Sequence, residues 1–221
     1  MFAETLISHE LFPLKKTDTC GSAIVFMHDW GVSELPVVEN NIVLGYVSID
    51  EIGNNSINKK VDLFIKNDKQ IFALAQQHIF EVIKIFDESG LSTVSVLDNE
   101  NHFLGIISFK EVFKNINKHS TLSQAGGIIT LEMLAKDYSL SELARIVEYN
   151  DVNILNVYIN SSSDEGNTIL VSLKFNHTEL KNVIASLQRH GKIIRSINLA
   201  ESNEEASFSN RYDWLIKYLN T

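Results

Sequence analysis

Two short segments carry the side chains best placed for recognition chemistry. One reads Gly45-Tyr46-Val47-Ser48-Ile49-Asp50-Glu51, and the other reads Gly105-Ile106-Ile107-Ser108-Phe109-Lys110-Glu111. Each sets a hydroxyl three residues ahead of a carboxylate, where a short apolar strand gives way to a helix. That spacing has two chemical uses. In a capping box, the serine oxygen and the glutamate carboxylate each take a backbone N–H of the helix start. In a binding site, the same helix start presents unpaired amides and a positive dipole end that suit a phosphate. The hydroxyl then adds a hydrogen-bonding group, and the carboxylate accepts from paired hydroxyls. Both uses are open to Ser48 with Glu51 and to Ser108 with Glu111. Lys15, Lys16, Lys110 and Lys114 are the nearby cations, and each also reads as an ordinary surface lysine.

Patterns for covalent chemistry are missing. The chain has no nucleophile elbow of the form GxSxG, no Walker-type phosphate loop and no GxGxxG. Its seven histidines are scattered, without HExxH or any His/Cys pair at metal-ligand spacing. Cys20 lies near a helix start, where a thiolate is stabilised. Its counterpart in the repeat described next is Ile79, so a small core residue is the better reading. We expect no catalytic residue, no metal site and no enzymatic activity.

The elements that position the two segments are themselves duplicated. Gly31–Val38 reads GVSELPVV, and 59 positions later Gly90–Leu97 reads GLSTVSVL. Leu44–Ile52 reads LGYVSIDEI, and 60 positions later Leu104–Val112 reads LGIISFKEV. The one-residue slip falls in the turn at 98–102, where insertions are tolerated. Ahead of these runs, Asp18–Trp30 and Gln77–Ser89 carry apolar residues at helical spacing. Ala23, Val25, Phe26 and Met27 mark the first, and Val82, Ile83, Ile85 and Phe86 the second. Gly31 and Gly90 stand at the C-caps. Each copy reads helix–strand–turn–strand–helix over about 60 residues. Two such copies packed strand face to strand face make a pseudo-two-fold pair around one core.

The repeated pattern LPVVxxxxxLGYVSxxEI resembles a tandem pair of CBS domains, the Bateman module, over about the first 118 residues. The resemblance implies two βαββα-type repeats, about 1–58 and 59–118. It implies a regulatory module that binds an adenosine-containing ligand of the AMP, ADP or ATP type in clefts between the repeats. Ser48, Glu51, Ser108 and Glu111 then meet the phosphate and ribose. Leu35 and Val37, with Val94 and Val96, flank the adenine. The family usually has aspartate where Glu51 and Glu111 stand. Ser95 replaces the proline that the first repeat keeps as Pro36.

Beyond Lys118 the polar stretch 119–125 reads as a linker. Residues 126–201 then give strand, helix, strand, strand, helix, strand. The strands are 126–134, 152–159, 168–175 and 192–199. Ser139 with Glu142 opens the first helix on the stripe Leu140, Leu143, Ala144 and Val147. The second helix, 177–190, carries Leu180, Val183, Ile184 and Leu187. The order βαββαβ is the ferredoxin-like arrangement. With Val152-Asn153-Ile154 opening the second strand, it resembles an ACT domain, which implies amino-acid sensing or dimerisation. The family's Pro-Gly turn is replaced by Tyr138-Ser139-Leu140. Two CBS units followed by an ACT unit are similar in architecture to acetoin-utilisation AcuB-type proteins. Residues 202–210 are polar. Residues 211–220 read as a short docking helix, with Tyr212, Leu215, Ile216 and Leu219 on one face.

Composition bounds the rest. The fold class given by these elements is α+β, and the composition of the 221 residues, 44% hydrophobic and 21% charged, is that of an ordinary soluble protein rather than a disordered one. A net charge of −9 opposes binding to nucleic acid or to an anionic membrane. One cysteine and no apolar leader or 20-residue apolar run lead us to expect a cytoplasmic protein. The expectation is a regulatory homodimer, paired through its CBS or ACT surfaces, with no obligatory cofactor. A ligand-free assembly module is the alternative.

Overall fold

The computed structural model describes residues 1–53, 57–66, 71–119, 121–161 and 167–199. The chain divides into two compact units after His119. The segments 202–210 and 211–220 lie outside the described residues.

In the first unit, α1 (Cys20–Trp30) starts at Thr19, whose side chain accepts from Ser22 N–H at 3.2 Å. Its counterpart α3 (Ile79–Ser89) starts at His78, which shares a complete capping box with Glu81. Both helices begin two residues after the expected position, because the capping side chain is outside the helix. They end on left-handed caps at Gly31 and Gly90. The buried stripe of α1 is Cys20, Ala23 and Met27, whereas Val25 and Phe26 are exposed. Neighbouring apolar residues differ by about 100° around a helix, so Val25 and Met27 cannot both face the core.

Strand β1 (Glu34–Glu39) pairs antiparallel with β2 (Ile42–Ser48), which leads into the one-turn helix α2 (Ile49–Ile52). In the second repeat β3 (Phe72–Leu74) runs parallel to β4 (Thr93–Leu97), and β4 pairs antiparallel with β5 (Phe103–Ser108). Helix α4 (Phe109–His119) follows. The inserted residue sits in a tight turn, where Asp98 Oδ1 accepts from the amides of Glu100 and His102 at 2.8 Å each.

Two hydrophobic clusters stand where one shared core was expected. They are completed by an exchange of chain. A 3-10 turn at Ala3–Leu6 packs Ala3 and Leu6 into the second repeat, and Phe2 bridges to His78. A matching turn at Val61–Phe64 packs Val61 into the first repeat, and Lys60 bridges to Thr19. Each repeat alone is too small to close its core, so each borrows a lid from the chain that precedes the other.

The second unit has the order β6 (Ile128–Leu134), α5 (Leu140–Glu148), β7 (Ile154–Ser161), β8 (Thr168–Phe175), α6 (Lys181–Arg189) and β9 (Ile193–Asn198). Its four strands form one antiparallel sheet in the order β7-β8-β6-β9. One sheet face buries Ile129, Leu131, Val171, Leu173 and Phe175 against the two helices. The other face carries the Thr130–Ser172 hydrogen bond and the Glu132–Arg195 ion pair. The four stripe residues of the second helix are all buried: Leu180 at the N-cap of α6, and Val183, Ile184 and Leu187 on it. On α5 the buried stripe is Leu143, Ile146 and Val147; Leu140, the first residue after the Ser139 cap, is exposed.

Candidate functional site

Both motif turns form at helix starts. Ser48 is the N-cap of α2 and accepts from Glu51 N–H at 3.3 Å. Ser108 accepts from Glu111 N–H at 3.2 Å. Only the serine half of a capping box is seen in these contacts. The Glu51 carboxylate forms an ion pair with Lys66, and that of Glu111 with Lys114 at 3.6 Å. Both carboxylates keep a solvent-facing edge, with side-chain exposures of 18% and 23%. Lys66 belongs to the exchanged chain, so it reaches Glu51 from outside the helix. Lys114 lies one turn along the same helix as Glu111.

Leu35 and Val37 lie on β1, and Val94 and Val96 on β4. All four are fully buried, the first two in one hydrophobic cluster and the last two in the other.

The glycine of each motif has a packing role. The exchanged chain crosses directly over it. Lys66 N–H donates to the Tyr46 carbonyl at 3.0 Å, and Ser8 N–H donates to the Ile106 carbonyl at 2.8 Å. A Cβ on Gly45 would strike the Lys66 carbonyl, and one on Gly105 would strike the Ile7 side chain. Gly45 also has φ of +148°, a conformation other residues rarely adopt.

A polar seam joins the two repeats at the base of these turns. Glu34 lies opposite Ser48 in the β1–β2 ladder, and Thr93 lies opposite Ser108 in the β4–β5 ladder. Glu34 is 5% exposed, yet carries a carboxylate. Its Oε1 accepts from the Ser92 amide, from Ser92 Oγ at 2.8 Å and from the Thr93 amide at 2.8 Å. Thr93 Oγ1 returns a bond to the Glu34 carbonyl at 3.0 Å, and Ser33 N–H donates to Ser92 Oγ at 2.9 Å. Farther along, the buried Tyr46 hydroxyl accepts from Ser95 N–H at 2.8 Å and lies 2.7 Å from the Ile71 carbonyl. Burial pushes this phenol up to about 12.

Of these seam residues the sequence singled out Ser95, as the replacement of a proline, but not Glu34, Ser92, Thr93 or Tyr46. The repeat alignment held the signal. It sets Glu34 against Thr93, Tyr46 against Ile106 and Ser95 against Pro36, three departures inside otherwise matched apolar strands.

Other groups are placed more simply. Cys20 is fully buried, and burial raises its thiol above the ordinary value, as a core residue requires. Among the described residues no three His, Cys, Asp or Glu side chains gather as a metal site, and no helix is long and apolar enough to cross a membrane. An open groove of about 430 Å³ lies between α3 and the start of α4, lined by Phe80, Ile83, Phe86, Leu91 and Phe109. It includes none of Ser48, Glu51, Ser108 and Glu111.

Comparison with known proteins agrees with this geometry. Residues 3–53 and 67–118 match the CBS domain family model. An uncharacterised protein of Methanocaldococcus jannaschii is 27% identical over 124 residues, which is 56% of this chain and 47% of that protein. A second protein of the same organism is 28% identical over 88 residues, 39% of this chain and 29% of the other. The chain thus spans less than half the length of these curated relatives. Among solved structures, a CBS domain pair/ACT domain protein of Thermotoga maritima has a TM-score of 0.47 at 16% identity, covering 53% of this chain and 98% of that one. The cytosolic domain of the Mg2+ channel MgtE, solved in complex with ATP, has a TM-score of 0.44 at 16% identity, covering 52% and 48%.

The two matched segments, one in each repeat of the first unit, are thus similar to a tandem pair of CBS domains. Such pairs are typically regulatory rather than catalytic, and commonly bind adenosine-containing ligands.

Proposed function

We propose that this chain is a non-enzymatic, cytoplasmic regulatory protein whose CBS pair binds an adenine nucleotide, AMP, ADP or ATP, between its repeats. Binding shifts the arrangement of repeats or of paired subunits by its differential affinity for the two states. The observation that carries this reading is the pair of motif turns. In each, the serine and the first helical amides are organised at a helix start, and a carboxylate stands beside them, tethered by one lysine and still open to solvent. Glu51 and Glu111 take the ribose hydroxyls, and Ser48 and Ser108 the phosphate. No obligatory cofactor is needed for this role.

The test is a thermal-shift series with AMP, ADP, ATP, S-adenosylmethionine and NADH, followed by calorimetry. A ligand at 100 times its Kd stabilises the fold by about 2.7 kcal/mol. We expect a shift with an adenine nucleotide that disappears in the Glu51→Ala/Glu111→Ala double variant. Binding retained by that variant would remove these glutamates from the site.

A second reading, a ligand-indifferent homodimer of the assembly type, is favoured by the exposed Phe80 and Phe109, which line the α3–α4 groove, and by the exposed Phe113 farther along α4. The βαββαβ unit adds an ACT-like surface for pairing or for amino-acid sensing. Native mass with and without nucleotide separates the two readings. A dimer unchanged by every ligand in the series supports the assembly role.

A further inference from the structure

An open sheet edge is a row of backbone donors and acceptors that another strand can take. In the first unit, chain from elsewhere bridges β1 at Val37, through Leu14, and β2 at Tyr46, through Lys66. In the second unit the sheet ends on β9 at one side and on β7 at the other. The β9 edge carries Arg195, ion-paired to Glu132, and a register shift against β6. A charge and a broken register both discourage a further strand. Strand β7 has no charged residue and no proline. Its one irregularity, between Ile154 and Asn156, lies at its start, where Thr121 Oγ1 donates to the Leu155 carbonyl at 3.0 Å. From Asn156 onward its register with β8 is regular, and among the described residues it pairs with no other strand. Its side chains show the edge to be uncovered. Ile159 lies on the core-facing side, opposite the fully buried Val171, yet is 46% exposed. Tyr158, on the other face, is 63% exposed.

We infer that β7 pairs antiparallel with β7 of a second copy, about a two-fold axis through Tyr158, and joins the two four-stranded sheets into one. Side chains alternate between faces, so opposed residues must belong to the same face, and the axis must pass through a residue. With the Leu155 carbonyl already engaged, the regular run clear of that contact is Asn156–Asn160, and Tyr158 is its middle. On the core-facing side Val157 then meets the partner's Ile159, twice, and the exposed isoleucine gains apolar cover. On the outer side Asn156 meets the partner's Asn160, twice, and the two Tyr158 rings meet at the axis. No like charges are opposed, because the strand has none. Each residue meets one that meets it back, as an isologous contact requires. The inference names a surface for the assembly reading above and rests on that reading only in requiring a dimer.

The test uses full chains. Wild type gives a dimer by native mass. Ile159→Lys, a charge set on the edge at an exposed position, gives a folded monomer with an unchanged far-UV spectrum. In a Cys20→Ala background, Tyr158→Cys forms a disulfide-linked dimer under mild oxidation. Opposed residues of an antiparallel pair lie about 4.5–5.5 Å apart between Cα atoms, within the range of about 4.4–6.8 Å that a disulfide spans. Asn156→Cys alone does not cross-link, because its two copies stand about 14 Å apart along the strands. Asn156→Cys combined with Asn160→Cys does. A monomeric wild type overturns both the assembly reading and this inference. A dimer that survives Ile159→Lys but is lost in Phe113→Lys overturns the inference alone, and leaves the assembly reading with the α3–α4 side as its surface. Equal cross-linking of the Tyr158→Cys and Asn156→Cys variants also overturns it.

Discussion

Tyr46 and Ser95 are a matched pair across the two repeats. Ser95 stands where proline is usual, and a proline there would lack the N–H that the Tyr46 hydroxyl accepts at 2.8 Å. In the first repeat the equivalent Pro36 faces no such demand, because Ile106 replaces the tyrosine on the other side. Ser95→Pro removes a buried donor and leaves the hydroxyl short of a partner. We expect a loss of about 1–3 kcal/mol. Tyr46→Phe orphans the Ser95 amide and costs a similar amount. The double variant should lose less than the sum, with a coupling of about 0.5–3 kcal/mol, read from denaturant melts. Additive losses would mean that the contact contributes nothing.

The same phenol gives a pH dependence. Its folded value, raised to about 12 by burial, lies above the ordinary value of 10.0. The neutral form is therefore favoured by folding. Its contribution is fully present below pH 10 and is lost as pH rises towards 12. The size is on the order of 2–3 kcal/mol. Wild type should lose more stability than Tyr46→Phe over that window.

The exchanged segments dictate the sequence beneath them. Gly45 and Gly105 look like parts of a ligand-binding turn, and the structure adds a second reason for both. Each lies under a crossing strand of chain, held by a backbone hydrogen bond. The two crossings are not alike. Over Gly45 the obstacle is the Lys66 carbonyl, which the bond network holds, and the backbone has positive φ. Over Gly105 it is the Ile7 side chain, which can turn. Gly105→Ala should cost about 1–3 kcal/mol, the usual range for overpacking, and Gly45→Ala more. Chemical denaturation of the two variants checks the order. Equal losses would show that the Lys66 carbonyl yields as readily as the Ile7 side chain.

On the scale of the molecule, the reciprocal exchange makes the two repeats one folding unit rather than two. Ala3 and Leu6 complete the core of the second repeat, although they lie more than 70 residues before its helix α3. Leu6 is almost fully buried, so Leu6→Ala costs about 2–5 kcal/mol. The exchange predicts where the damage first appears. Amide hydrogen exchange should accelerate in α3 and β4, far along the chain, ahead of α1, its nearest helix in sequence. Acceleration confined to α1 would contradict the exchanged packing.

Local order set the elements, their sequence and their caps. The 59- and 60-residue offsets gave away the duplication, and the serines at 48, 108 and 139 are helix caps as read. Helix starts, C-cap glycines and strand alternation depend on neighbours within a few residues, and those are visible in a linear string. The stripe on α6 was legible for the same reason. The stripe on α1 was not, because several apolar residues compete there and only the neighbouring layer selects among them.

The contacts between repeats depend on a different kind of information. Nothing near Glu34 in sequence indicates that Ser92 and Thr93 will supply its donors, 58 and 59 residues away. Nor does any local pattern show that the chain before each repeat packs on the other. These choices are made by burial. Each small repeat needs apolar cover, and each buried polar group needs a partner. Such demands are met only once the two halves meet. The chain by itself determined a duplicated α+β pair followed by a βαββαβ unit. Tertiary packing alone decided that the pair would be interlocked, with a carboxylate from one half held in the backbone of the other.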